Sequence, residues 1–351
     1  MSHFFAKSHF SAKRILNRLF LFLILCSFIF TGCKKNEVNQ QKTLRITATF
    51  YPLYIMLLNI TDGVQGVSIS MLAPPNTGCL HDYQLTTQDM RALDDCDILV
   101  ANGAGMEDFL DKALASKHDR TIIAAEGYPL VDGNAHVWVS PKGAIYEVQK
   151  IASGLAVLDS IHADMYQKNC AAYVENLKAL SVHMHTELDA YKGARIITFH
   201  EAFPYFAAEF GLTTAAVIER EAGTEPAAKE LAELVGLIKS VQHEESGVAL
   251  FAEPQYSSAA AETISAETGC TVYELDPAVT GELTKESYIQ TMIANTAVLK
   301  KALAEASGKS AAVSITGSMQ ETKSSITTTG ASVSAGAAKK AENSAPSGGA
   351  Q

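Results

Sequence analysis

The chain has 351 residues, 47% of them hydrophobic and 19% charged, with a formal net charge of −10. The length suits one large or two smaller domains. The acidic balance argues against a nucleic-acid partner and suits cations or neutral partners, and no apolar run beyond residue 32 is long enough to span a bilayer.

Residues 1–32 read as an export signal. Lys7, Lys13, Arg14 and Arg18 form a basic start and 19–30 an apolar core of signal-peptide length. This leader carries four cations and no acids, which takes the remainder from −10 to −14. It closes on Phe30-Thr31-Gly32-Cys33, small residues directly before a cysteine. That pattern resembles the lipobox of bacterial lipoproteins, which implies lipidation of Cys33, a lipidated tether over 33–43 and a place on the extracytoplasmic face of the cell membrane. The other reading is an uncleaved membrane anchor; both put the rest of the chain outside the cytoplasmic membrane.

From Leu44 onward, short apolar runs alternate with helical patterns. Strands are predicted at 44–50, 67–72, 98–101 and 121–124, with helices beginning near Tyr54, Thr87 and Met106, the alternation of βα units on a parallel sheet. A helix over 142–158 follows. Residues 163–191 contain no Gly or Pro, and Val174, Leu177, Leu180 and Val182 give helical spacing; such a helix is about 40 Å long and stops at Gly193. A second series then starts, with strands near 195–199, 215–218, 248–252 and 271–275, each followed by a helix. The expected fold is α/β: a lobe of parallel βα units over 44–162, a single long linking helix over 163–192 and a second lobe over 193–306. Residues 307–351 turn to Ser, Thr, Ala and Gly and are expected to be a disordered low-complexity tail.

Four residues stand where parallel α/β sheets bind ligands, beyond the carboxyl ends of strands. His81 follows the second strand after Pro74-Pro75-Asn76-Thr77-Gly78. His136 sits in a loop opened by Asp132-Gly133-Asn134. His200 follows Ile196-Ile197-Thr198-Phe199, and Asp276 follows Val272-Tyr273-Glu274-Leu275. Three imidazoles and a carboxylate complete a tetrahedral set for a borderline-soft cation such as Zn²⁺. Their intervals of 55, 64 and 76 residues exclude a local motif, so only a folded cleft can gather them. His183 and His185 flank Met184 and face different ways; His118, His162 and His243 lie in polar segments and are expected to be solvated. Of the cysteines outside the leader and its terminal Cys33, Cys79, Cys96, Cys170 and Cys270 form no CxxC pair, and Cys79 and Cys96 are expected at opposite ends of adjacent strands, too far apart to bridge. Cys79 is either a spare soft ligand or a structural thiol.

No catalytic residue is expected. A site filled by four protein ligands keeps no position for a reactive water. His200-Glu201 lacks the second histidine of a metalloprotease helix because Pro204 occupies its place, and neither a Gly-x-Ser-x-Gly elbow nor a phosphate loop occurs.

Several segments together resemble the zinc/manganese solute-binding lipoproteins of bacterial ABC transporters, over about residues 44–305. They are His81-Asp82-Tyr83, Asn134-Ala135-His136-Val137-Trp138-Val139-Ser140-Pro141, Thr198-Phe199-His200-Glu201-Ala202-Phe203-Pro204-Tyr205-Phe206, Glu225-Pro226, Glu253-Pro254-Gln255-Tyr256 and Leu275-Asp276-Pro277. The chain departs from the family at Cys79-Leu80 (usually Asp-Pro), Ala135 (Pro) and Ser140 (Asp), and lacks the histidine-rich acidic loop of many zinc members. The resemblance implies a monomer that captures metal between its lobes and delivers it to a membrane permease with a cytoplasmic ATPase. Manganese members place a carboxylate at the third ligand; His200 here points to zinc as cargo. Manganese or iron capture by the same fold, or a surface adhesin lipoprotein, are the alternatives. Binding to imidazoles is expected to release protons and weaken as pH falls.

Overall fold

The computed structural model describes residues 43–75, 77, 80, 83–110, 118–218, 228–241, 247–254 and 258–308. The leader, Cys33, Cys79, His81, Glu225-Pro226, His243, Gln255-Tyr256 and the tail from 309 lie outside the described residues.

Strand β1 (Leu44–Ala48) is followed by helix α1 (Tyr51–Ile60), β2 (Val67–Met71), α2 (Thr87–Asp95), β3 (Ile98–Ala101) and β4 (Thr121–Ile123). The four strands pair in parallel in the order β2-β1-β3-β4. All four residues of the central β3 are buried, the unbroken apolar run of a strand covered on both faces. Helix α1 begins three residues before the predicted Tyr54, because Pro52 stands in its first turn, where its missing N–H and preset φ cost nothing. Thr86 and Asp89 form a reciprocal capping box that starts α2. Ahead of the helix predicted near Met106, Gly103, Ala104 and Gly105 all take positive φ, which no right-handed helix accommodates; a short 3₁₀ turn, Asp108–Leu110, follows, and the rest of that prediction, over 111–117, lies outside the described residues.

Helix α3 (Pro141–Leu158) is capped by Ser140, whose Oγ accepts from Gly143 N at 3.0 Å. Helix α4 (Ala163–Leu188) runs 26 residues, about 39 Å, and tightens into a 3₁₀ turn, Asp189–Tyr191, before Gly193 at φ 83°. Its buried stripe is Tyr166, Cys170, Tyr173, Val174, Leu177, Leu180, Met184 and Leu188. Val182, predicted as part of that stripe, is 67% exposed; two residues from Leu180, it is about 200° around the helix.

The second half repeats the pattern: β5 (Arg195–Thr198), α5 (Pro204–Phe210), β6 (Thr213–Val217), α6 (Ala228–Val241), β7 (Val248–Ala252), α7 (Ser258–Thr268), β8 (Val272–Glu274) and α8 (Ser287–Ala306). Its strands are parallel in the order β6-β5-β7-β8. Helix α4 links the two sheets in sequence and packs against α1 and α3 of the first half and α8 of the second. One continuous core therefore runs from Ile46, Leu57 and Trp138 through Leu177 and Met184 to Phe206, Phe251 and Leu299. A separate cluster of Ile197, Ile238, Leu250 and Ile264 fills the space between the second sheet and α6 and α7.

Among the described residues no helix is long and apolar enough to cross a membrane. The expected solvation of His162 is corrected: its Nδ1 lies 2.7 Å from Asp159 Oδ2, which also accepts from Tyr166 Oη at 2.6 Å. His183 is exposed, whereas His185 meets Asp189 at 2.8 Å. Cys96 and Cys170 are buried, and the Cys96 thiol donates to Leu93 O at 3.2 Å.

Candidate metal centre

The centre forms where the carboxyl ends of both sheets release their chains. Beyond β4, the chain turns through Asp132 and Gly133, both at positive φ, and reaches His136. The Val137–Val139 turn that follows is entirely buried and leads into α3. Trp138 anchors this turn: its ring meets Phe50 edge-on at 5.0 Å, and its Nε1 donates to Pro277 O at 2.9 Å. From the second sheet, β5 delivers His200, β7 delivers Glu253 and β8 delivers Asp276.

His136 and His200 are each 1% exposed, and their rings stand edge to face with centroids 4.7 Å apart. Asn134 orients the first ring. Its Oδ1 accepts from His136 N at 2.9 Å and lies 3.2 Å from His136 Nδ1, while its Nδ2 donates to Glu201 O at 2.7 Å. A backbone N–H only donates and a backbone carbonyl only accepts, so both ends of the amide are assigned by their partners. His136 Nδ1 therefore carries a proton, and Nε2 is the basic nitrogen of that ring. His200 Nδ1 lies 3.3 Å from Glu253 Oε1, both side chains 1% exposed. A carboxylate beside Nδ1 favours the proton there and leaves Nε2 as the basic nitrogen of this ring too.

Asp276 is tied at both ends of its own backbone to Asn295, which accepts from Asp276 N at 3.1 Å and donates to Asp276 O at 2.6 Å. Its Oδ1 accepts from Ala278 N at 2.7 Å. Burial raises its pKa to about 6, with Glu253 and Glu274 adding repulsion and the N–H groups of Ala278 and Val279 opposing it. An open cleft of about 380 Å³ reaches His136, walled by Asp108, Asp132 and Asn134 on one side and by Thr198 and Glu201 on the other.

The structure thus brings together His136 and His200, with Asp276 coupled electrostatically to the Glu253 that backs His200. His81 lies outside the described residues, and among the described residues no group of three or more His, Cys, Asp or Glu is gathered closely enough to hold an ion. Two side chains of this cluster, Glu253 and Asn134, stand in segments that carry the family resemblance, but their contacts were not read from the sequence. Glu253 follows β7 as His200 follows β5, and these strands are neighbours; that common position at adjacent strand ends was the available signal. The double bonding of Asn134 was not legible in the sequence, because it depends on Glu201, 67 residues away.

A family description, zinc-uptake complex component A periplasmic, matches residues 46–302. The zinc-binding lipoprotein AdcA of Streptococcus pneumoniae serotype 4 is 29% identical over 304 residues, covering 79% of this chain and 59% of the relative. The chain therefore spans about three fifths of the length of that relative. The high-affinity zinc uptake system protein ZnuA of Bacillus subtilis is 26% identical over 270 residues, covering 71% of this chain and 82% of the relative. Among solved structures, the SBP FpvC of Pseudomonas aeruginosa in complex with Ni²⁺ superposes with a TM-score of 0.68 at 29% identity, covering 75% of this chain and 98% of that one.

Proposed function

This chain belongs to the zinc-uptake complex component A family, and from that premise we propose that it is an extracytoplasmic lipoprotein that captures zinc for import by an ABC transporter. The observation that carries this reading is the buried pair His136 and His200, with Nδ1 of each ring beside an oxygen acceptor. Neutral imidazole nitrogen suits Zn²⁺ better than harder ions. His81 and Asp276 complete a tetrahedral set, so the ion is cargo and the chain is not an enzyme. A membrane permease and its ATPase take the ion onward. Cys33 bears the lipid that holds a monomeric protein to the extracytoplasmic face of the membrane. The working divisions are a signal peptide over 1–32, a tether over 33–43, lobes over 44–162 and 193–306 joined by the helical segment 163–192, and a tail over 307–351.

A protonated Asp276 cannot serve as an anionic ligand. With its pKa near 6, zinc affinity falls as pH drops through that value, adding to proton competition at the imidazoles. Capture of another first-row ion is the second reading, favoured by the Ni²⁺ in the complex of FpvC and by the permissive affinity order of such donor sets.

Metal analysis by mass spectrometry decides between them, using protein purified from its native membrane without added metal, beside the His200→Ala variant. Near-stoichiometric zinc that vanishes in the variant is the expected result. Manganese, iron or nickel in the wild type moves the cargo to the second reading, and absence of metal from both sinks metal capture.

A further inference from the structure

His136 precedes the long helix α4 in sequence, yet its mechanical attachment is to the second half of the molecule. Val131 N donates to Tyr205 Oη at 3.2 Å, and the same hydroxyl donates to Asn134 O at 2.5 Å. Asn134 Nδ2 donates to Glu201 O, next to His200, at 2.7 Å. Trp138 Nε1 donates to Pro277 O, next to Asp276, at 2.9 Å, and Tyr288 Oη on α8 donates to Trp138 O at 2.7 Å. The start of α3 joins this clamp, with Lys142 N donating to Glu209 Oε2 at 3.0 Å. Toward the first sheet, Asn102 Nδ2 at the end of β3 donates to Ala135 O at 2.9 Å. Residues Tyr205 and Tyr128 also stack edge to face at 5.6 Å, which closes the side of the turn.

We propose that Asn134 and Tyr205 are positioning residues that fasten the His136 turn to the segment bearing His200, so that the two imidazoles form a preassembled half-site before metal arrives. The inference rests on the zinc-capture reading for its purpose, though not for its geometry. Opening the cleft leaves the His136–His200 spacing unchanged, because separating the rings requires breaking the Tyr205, Asn134, Trp138 and Tyr288 bonds together. The ion meets two nitrogens already held in place and aimed, which removes their ordering cost from binding. Asn134 has the finer role: one amide holds the His136 tautomer with Oδ1 and the neighbouring segment with Nδ2.

The test uses full-length protein and two readouts. The first is ¹⁵N NMR of histidine-labelled, metal-free protein, which reports the His136 tautomer without any metal. The second is Zn²⁺ affinity by competition with a chelator. Wild type is expected to show His136 protonated at Nδ1. Tyr205→Phe keeps the ring and removes both hydroxyl bonds; Asn134→Leu removes acceptor and donor. Both are expected to give a mixed tautomer and about 10- to 100-fold weaker zinc binding, the usual cost of removing such outer partners. Asn134→Asp keeps the acceptor for His136 and is expected to rescue the tautomer. Unchanged tautomer and affinity in folded Tyr205→Phe and Asn134→Leu overturn the proposal, whatever metal the wild type holds. If the variants lose the tautomer while wild type binds no zinc, the positioning role stands and the zinc-capture reading fails.

Discussion

Glu147 and Glu107 are two buried carboxyl groups in opposite situations. Glu107 accepts from Thr49 Oγ1 and Asn102 N, each at 2.7 Å, and from Gly103 N at 2.9 Å. Glu147, on α3 and 0% exposed, has no hydrogen-bond partner on either oxygen among the described residues. Burial holds its pKa well above the ordinary carboxylate value, and the charge of Glu107 pushes it further in the same direction. Folding therefore favours the protonated, neutral form of this side chain. Because the folded pKa is the higher one, the penalty is absent below the unfolded pKa near 4 and grows as pH rises above it. Glu147→Met, similar in length and without polar atoms, is expected to gain about 1–3 kcal/mol at pH 7.5, which is about 2–10 °C in melting temperature. The gain should shrink as pH falls toward 4.5. Calorimetry across that range checks it, and a variant less stable at every pH would show that Glu147 belongs to a satisfied network.

At the scale of elements, α3 sets the height of the His136 turn. Gly143 in its first turn has no side chain, and an added Cβ would sit 1.9 Å from Val137 O. Gly143→Ala must push that turn away from the helix and strain the Ser140 cap, whose Oγ accepts from Gly143 N. Overpacking of this kind costs about 1–3 kcal/mol. The expected outcome is a lower urea midpoint together with weaker zinc binding, because the displaced turn carries His136. Loss of stability with unaltered affinity would show that the turn moves independently of its ligand. The strands and helices themselves were legible: alternating apolar runs marked β3 and β7 to the residue, and the Gly- and Pro-free stretch marked α4. The turn over 103–105 was not, because Ala104 takes positive φ between two glycines, and nothing in an alanine announces that backbone.

Across the whole molecule, the core does not respect the division into two sheets. It is continuous from β1 through α4 to β7 and α8, and Tyr51 Oη on α1 donates to Glu282 O beyond β8 at 2.8 Å. Removing either half would expose apolar surface of the other, so unfolding should be cooperative. A single calorimetric transition is expected for the metal-free protein; two resolved transitions would mean that the sheets unfold separately. The sequence by itself determined the fold class and the strand-end positions of His200 and Asp276, since periodicity and turn chemistry are local properties, and its quoted motifs carried the family resemblance. Tertiary structure alone decided which of those residues meet, that Glu253 backs His200 and that Asn134 reaches Glu201. Those contacts join residues 53 and 67 positions apart, and such pairings exist only once distant parts of the chain have been packed against each other.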